Sequence, residues 1–139
     1  MNVIYGHDEA VAEWVKQRTP YVINGFGAST AIGVADSDLL LAGIVYHEWR
    51  PAYRSMQVSI ASEGKRWCSR RIMKSFYAYP FIQMDCERIT AMVAADNNDS
   101  IDFVTRLGFQ LEGNLRMGCG YIDCLVFGQL RGEAMQWIG

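Results

Sequence analysis

The sequence has almost no charge imbalance. Thirteen Lys and Arg against fifteen Asp and Glu leave a net charge of −2, so it carries no broad electrostatic footprint for nucleic acid or an anionic membrane, and neither partner is expected. It also has no long apolar run. The longest, Leu39 to Tyr46, falls far short of the ~20 residues of a membrane helix. The opening MNVIYGHDEA lacks the basic stretch and apolar core of a leader, so a cytoplasmic location is expected. Histidine is scarce. The four cysteines, Cys68, Cys86, Cys119 and Cys124, show no C-x-x-C spacing and no histidine placed to complete a zinc site. No metal is therefore expected, and the thiols read as free groups in a reducing compartment. Internal repeats, linkers and low-complexity stretches are missing too, so residues 1–139 read as one domain.

What is present is a regular alternation of patterns. Asp8 to Gln17 places Ala10, Val11, Trp14 and Val15 on one face, a helix with Asp8 as its cap and Pro20 beyond its end. Ser29 to Ala35 and Leu39 to Trp49 flank Asp36-Ser37-Asp38 as a hairpin, and Pro51 closes it. Ser55 to Ala61 alternates as a strand. Trp67 to about Met84 is helical by spacing, with a break at Pro80. Arg88 to Ala95 reads as a strand, and Asn97 to Leu107 as a helix that Gly108 caps. Gln110 to Met117 and Tyr121 to Leu130 make a last hairpin around Gly118-Cys119-Gly120. The order predicts an α+β, three-layer domain: a mixed central sheet with helices on both faces.

Asn97, Ser100 and Gly108-Phe109, followed by Glu112-Gly113, Arg116 and Asp123, stand at spacings that resemble the GNAT acyl-CoA N-acyltransferases. Within that family the likeness is to the branch of ribosomal-protein N-terminal acetyltransferases. Arg66-Trp67 with Arg70-Arg71, Tyr79-Pro80-Phe81, Arg88-Ile89-Thr90-Ala91 and the run from Tyr121 to Phe127 are most similar to small members carried by bacteriophages and prophages. The likeness covers about Ala28 to Arg131. It implies a GNAT-like fold and acetyl-CoA as acyl donor, and it implies an amine acceptor, on a protein in this branch. For a phage-encoded chain the location is the host cytoplasm.

A helix N-terminus suits a pyrophosphate, because its free N–H groups and dipole favour an anion. The family places a glycine-rich turn there, and the equivalent stretch here is Glu63 to Arg71. Only Gly64 of the usual glycines remains, and Trp67 stands where small residues are expected. Lys65, Arg66, Arg70 and Arg71 form the densest cationic cluster of the chain, and charge-assisted hydrogen bonds from them are expected to hold phosphates. Cations at a helix start oppose its dipole, which is a further reason to expect an anion between them. By resemblance, the pantetheine arm lies between the strands at 55–61 and 88–95, against the main chain of Val58, Ser59, Ile60 and Ala61, with a carbonyl-polarising amide among them. Asn97 then contacts the arm or fixes its loop, and Phe103 and Arg106 line the CoA end. As a plain structural feature, Asn97 is a helix cap.

Acyl transfer to an amine needs a base, an oxyanion stabiliser and a route for protonating the thiolate. The tyrosine that many GNAT enzymes place on the helix after the asparagine is replaced here by Val104. His47 and Glu48 at the end of the second hairpin strand are the candidate bases, and strand alternation turns at most one of them into the cleft. Cys119 has no histidine near it in sequence to activate it as a nucleophile, and direct transfer in a ternary complex needs none. The competing reading is a non-catalytic CoA-binding or virion-associated structural protein that keeps the fold, suggested by the eroded glycine loop and Val104. The acceptor is not readable, and an oligomer is allowed.

Overall fold

The computed structural model describes residues 1–138. Seven strands form one sheet in the order β1-β2-β3-β4-β5-β7-β6. In chain order they are β1 (Asn2–Ile4), β2 (Ser29–Asp36), β3 (Leu39–Arg50), β4 (Ser55–Ser62), β5 (Arg88–Ala94), β6 (Gln110–Leu115) and β7 (Cys124–Leu130). Every neighbouring pair is antiparallel except β4 with β5, the one pair joined by a helical crossover. The helices are α1 (Asp8–Lys16), α2 (Arg70–Ala78), α3 (Asn98–Leu107) and a short α4 (Met135–Ile138).

Helices cover both faces, as the alternation of patterns requires. On one face α1 lays Val11 and Val15 against Ala31, Val45 and Ala61. Gly43 permits this approach: a Cβ there would stand 2.8 Å from a methyl of Val15 and 2.9 Å from one of Val11. On the other face α2 and α3 pack Ile72, Met73, Phe76, Val104 and Leu107 over Ile44, Met56, Val58, Ile89 and Phe127. The chain end closes that layer: Trp137 stacks on Tyr77 with ring centroids 5.8 Å apart, and its indole N–H donates to Leu107 O at 2.9 Å.

Several local expectations needed correction. β1 was not foreseen; three residues are too few to show an alternation, and only the antiparallel register Asn2–Ala35 to Ile4–Gly33 makes it a strand. Asp8 does not cap α1. The N-cap is His7, without a side-chain hydrogen bond, and the Asp8 carboxylate accepts from Ala31 N at 3.0 Å, tying α1 to β2. The helix expected from Trp67 to Met84 starts later, at Arg70 behind the cap Ser69, whose hydroxyl accepts from Ile72 N. It gives way at Tyr79–Gln83 to a wider π turn, because Pro80 has no N–H to continue the ladder. The last hairpin carries a longer turn than expected. Asp123 bonds Met117 N at 2.9 Å and Asn114 Nδ2 at 3.2 Å, so β7 begins only at Cys124.

Candidate active site

β4 and β5 do not stay together. Their pairing runs from Ser55–Arg88 to Val58–Ala91 and stops, although β4 continues to Ser62 and β5 to Ala94. The result is a fork in the middle of the sheet. Ladder geometry tells which main-chain groups line it, because N–H and C=O groups alternate in direction along a strand. Glu63 N donates to Leu41 O at 2.8 Å, in the register that sets Ser62 opposite Ala42. Odd-numbered residues of β4 therefore bond to β3, while Val58, Ile60 and Ser62 face β5. Likewise Ala95 N donates to Asp123 O at 2.9 Å, in the register Ala94–Cys124, so Thr90, Met92 and Ala94 face β4.

The next parallel rung would join Ile60 N–H to Met92 O. It is not made. The Met92 carbonyl accepts instead from the Tyr21 hydroxyl, at 3.0 Å. Of the four residues expected to offer main chain to a thioester arm, Val58 belongs to the last rung, and Ser59 and Ala61 turn their groups to β3. Ile60 remains with its amide facing the fork.

At the fork apex, on the α1 face, Ser59 Oγ lies 2.9 Å from His47 Nε2. The His47 ring packs against Phe26, with centroids 5.0 Å apart. Burial lowers the imidazole pKa below its ordinary 6.5, partly opposed by the Glu48 carboxylate, so His47 is neutral at pH 7 and able to take a proton. Glu48 has gone the other way. It sits at a bulge between His47 and Arg50 with φ 51, is exposed, and stands 3.8 Å from Arg50. Of the two candidate bases, only His47 is at the fork.

Tyr21, in the loop after α1, reaches this apex from a position that no motif marked. Burial, with smaller contributions from Cys119 and Cys124, raises its pKa to about 12, so the phenol keeps its proton. A cleft of about 290 Å³ opens between α1 and the Gly25–Ser29 segment, lined by Asp8, Glu9, Glu13, Lys16 and Phe26. Phe26 is thus a wall of this cleft and a neighbour of His47.

The basic loop is arranged differently from the expected cluster. Its arginines diverge to three partners: Arg66 to Asp36 at 3.4 Å, Arg70 to Gln136 O at 2.6 Å and Arg71 to Met1 O at 3.0 Å. Lys65 has no ion-pair partner among the described residues. Gly64 takes a positive φ of 71, and its carbonyl accepts from the Trp67 indole at 3.0 Å. Trp67 does not line a surface site. It is buried, with ring centroids 5.8 Å from both Phe76 and Phe103, and anchors the loop to the core. The amides of Arg70 and Arg71 lie in the first turn of α2, ahead of the capped Ile72 amide, where helical N–H groups have no partner within the helix.

Asn97 is the N-cap of α3, its Oδ1 accepting from Ser100 N at 3.2 Å, and Gly108 closes the helix with φ 106. Arg106 is exposed and pairs with Asp102 at 3.2 Å. Val104 is buried in the core, so α3 offers no acid at that position. Among the described residues no group of His, Cys, Asp and Glu is arranged to hold a metal, and no helix is long and apolar enough to cross a membrane.

No protein-family model matches the chain, and no curated protein matches it in sequence. Solved structures match it in fold. A single-site mutant of the spermidine N-acetyltransferase SpeG from Vibrio cholerae superposes with a TM-score of 0.76 at 16% identity, covering 97% of this chain and 98% of that one. The same Vibrio cholerae enzyme in complex with CoA and spermine gives 0.74 at 15% identity, over 96% and 97%. Its dodecameric form in an intermediate state gives 0.72 at 14%, over 95% and 94%. The chain has the GNAT acyltransferase fold.

Proposed function

We propose that the protein is an N-acetyltransferase that passes the acetyl group of acetyl-CoA directly to an amine. The observation that carries this reading is the fork: a free Ile60 amide on one side of its apex and a neutral His47, hydrogen-bonded to Ser59, beside it. An extended thioester arm laid into the fork meets the main chain that the missing rungs leave open, as an added strand does. The Ile60 N–H then polarises the thioester carbonyl. With His47 in its Nδ1–H form, the Ser59 hydroxyl donates to Nε2, and the relay takes the amine proton as the C–N bond forms. The C–S bond breaks, and the proton held on the imidazole passes to the thiolate. Phosphates sit at the start of α2, on the amides of Arg70 and Arg71, with Lys65 and Arg66 beside them.

The acceptor proposed is an amine on a protein, as the ribosomal-type and phage-type sequence pattern implies, in a cytoplasm that keeps the four cysteines reduced. A free polyamine is the second reading. The carboxylates of Asp8, Glu9 and Glu13 around the cleft that leads to Phe26 suit a cationic chain, and the Vibrio cholerae neighbour is a spermidine N-acetyltransferase.

Acetyl-CoA should raise the melting temperature, with about 2.7 kcal/mol of stabilisation at a hundredfold excess over Kd. Release of CoA thiol in the presence of spermidine, or of a bacterial lysate followed by mass spectrometry of acetylated proteins, assigns the acceptor. Binding without any transfer would favour the non-catalytic reading; no binding would overturn both.

A further inference from the structure

We infer that the Tyr21 hydroxyl is the second oxyanion donor of the fork, acting with the Ile60 amide on the thioester oxygen. This rests on the acetyltransferase reading above and adds a residue that no sequence motif marks. The geometry is that of a replaced rung. In a continued parallel ladder, Ile60 N–H would donate to Met92 O; here the Tyr21 hydroxyl holds that carbonyl at 3.0 Å, and the pairing ends one residue earlier on each strand. The Tyr21 hydroxyl thus holds the acceptor that the ladder would have given to the Ile60 amide, where the two strands part. A carbonyl oxygen placed there receives the amide from β4 and, by rotation of the phenolic O–H away from Met92 O, the hydroxyl from the α1–β2 loop.

The chemistry suits a donor that does not give up its proton. When the amine nitrogen attacks, the carbonyl π electrons move to oxygen, and both donors shorten onto the developing charge. When they return, the C–S bond breaks and the electron pair leaves on sulfur. Tyr21 finishes with the proton it began with. Burial keeps the phenol protonated across the whole working range, and the half-dry setting strengthens a hydrogen bond to an oxyanion.

Tyr21→Phe tests this. It should lower kcat roughly 100-fold and leave KM for acetyl-CoA within about twofold. The loss should be the same with acetyl thioesters of more acidic thiols, because the donor addresses oxygen and not sulfur. The affinity of free CoA, which has no carbonyl at this point, should not change. A second readout needs no acceptor: the infrared carbonyl stretch of carbon-13-labelled acetyl-CoA should fall in frequency on binding to the wild type, and fall less in the variant. A variant within about threefold of wild-type kcat with an equal carbonyl shift would overturn the assignment. So would a loss of CoA affinity and melting temperature that accounts for the rate change, since Tyr21 would then only tie its loop to β5. A loss that shrinks with better leaving groups would move the contact to sulfur and overturn it as well. If the wild type shows no acetyl-CoA binding, the acetyltransferase reading falls first and takes this inference with it; a wild type that transfers acetyl while the variant is unaffected sinks this inference alone.

Discussion

The basic loop entering α2 and the apex of the β4–β5 fork are assembled in opposite ways. In the loop, Lys65, Arg66, Arg70 and Arg71 are neighbours in sequence, yet the fold sends the three arginines to Asp36, Gln136 and Met1. At the apex, residues far apart in sequence are brought into contact from separate strands and the α1–β2 loop: Tyr21 with Met92 on one side, and Phe26, His47 and Ser59 on the other. Nearness in sequence measures charge density along a chain. Convergence on a point depends on which strand each residue sits in and which way that strand turns it.

The largest effect is expected at His47. His47→Gln should lower kcat by about 10²- to 10⁴-fold while acetyl-CoA still stabilises the protein, as seen in steady-state rates set beside thermal shifts. The wild-type rate should fall as pH drops through a limb lying below 6.5, since burial lowers the His47 pKa. The same shift acts on folding. The unfolded chain binds the proton more readily, so the stability due to neutral His47 is complete above about 6.5 and is lost as pH falls towards the folded-state pKa.

Trp67 comes next. Trp67→Ala removes an aromatic side chain packed against Phe76 and Phe103 and should cost about 3–5 kcal/mol in denaturant unfolding. A loss of CoA affinity without a loss of stability would return Trp67 to the ligand and break the contrast between loop and apex. Replacing Lys65 and Arg66 together by alanine should weaken CoA binding about a hundredfold or more by calorimetry, at roughly 1.5–3 kcal/mol for each of two hydrogen bonds to a charged group, and leave kcat at saturation nearly unchanged. An unaltered Kd would mean that the loop holds no phosphate. The smallest effect belongs to Asn97. Asn97→Ala should cost about 1 kcal/mol of stability as a lost cap, with acetyl-CoA affinity unchanged; a tenfold weaker Kd would show that Asn97 serves the arm as well as the helix.

Much of the architecture was legible because its signals are local. The apolar runs of β2, β3 and β5, the alternation in β4, the cap at Asn97 and the glycine at 108 are each signals within one element, and together they predicted a mixed sheet covered on both faces. The failures share a cause. Asp8 looks like a helix cap until β2 arrives beside it with an unpartnered Ala31 amide. β1 has too few residues to show a period, and Tyr21 lies in a loop between periodic segments. Trp67 stood in a motif that suggested a ligand, but a large indole gains more free energy in the core than at a surface.

By itself the sequence determined most of the segments that become strands and helices, and that a basic loop precedes α2, because hydrophobic period and turn chemistry are properties of short windows. Tertiary structure alone decided where the β4–β5 ladder stops, that Ile60 is the residue whose amide is left open, that His47 turns inward while the bulge after it carries Glu48 away, and that a phenol from residue 21 takes the carbonyl of residue 92. Those outcomes depend on strand register and on contacts across 12 to 71 positions of chain, which no local pattern encodes.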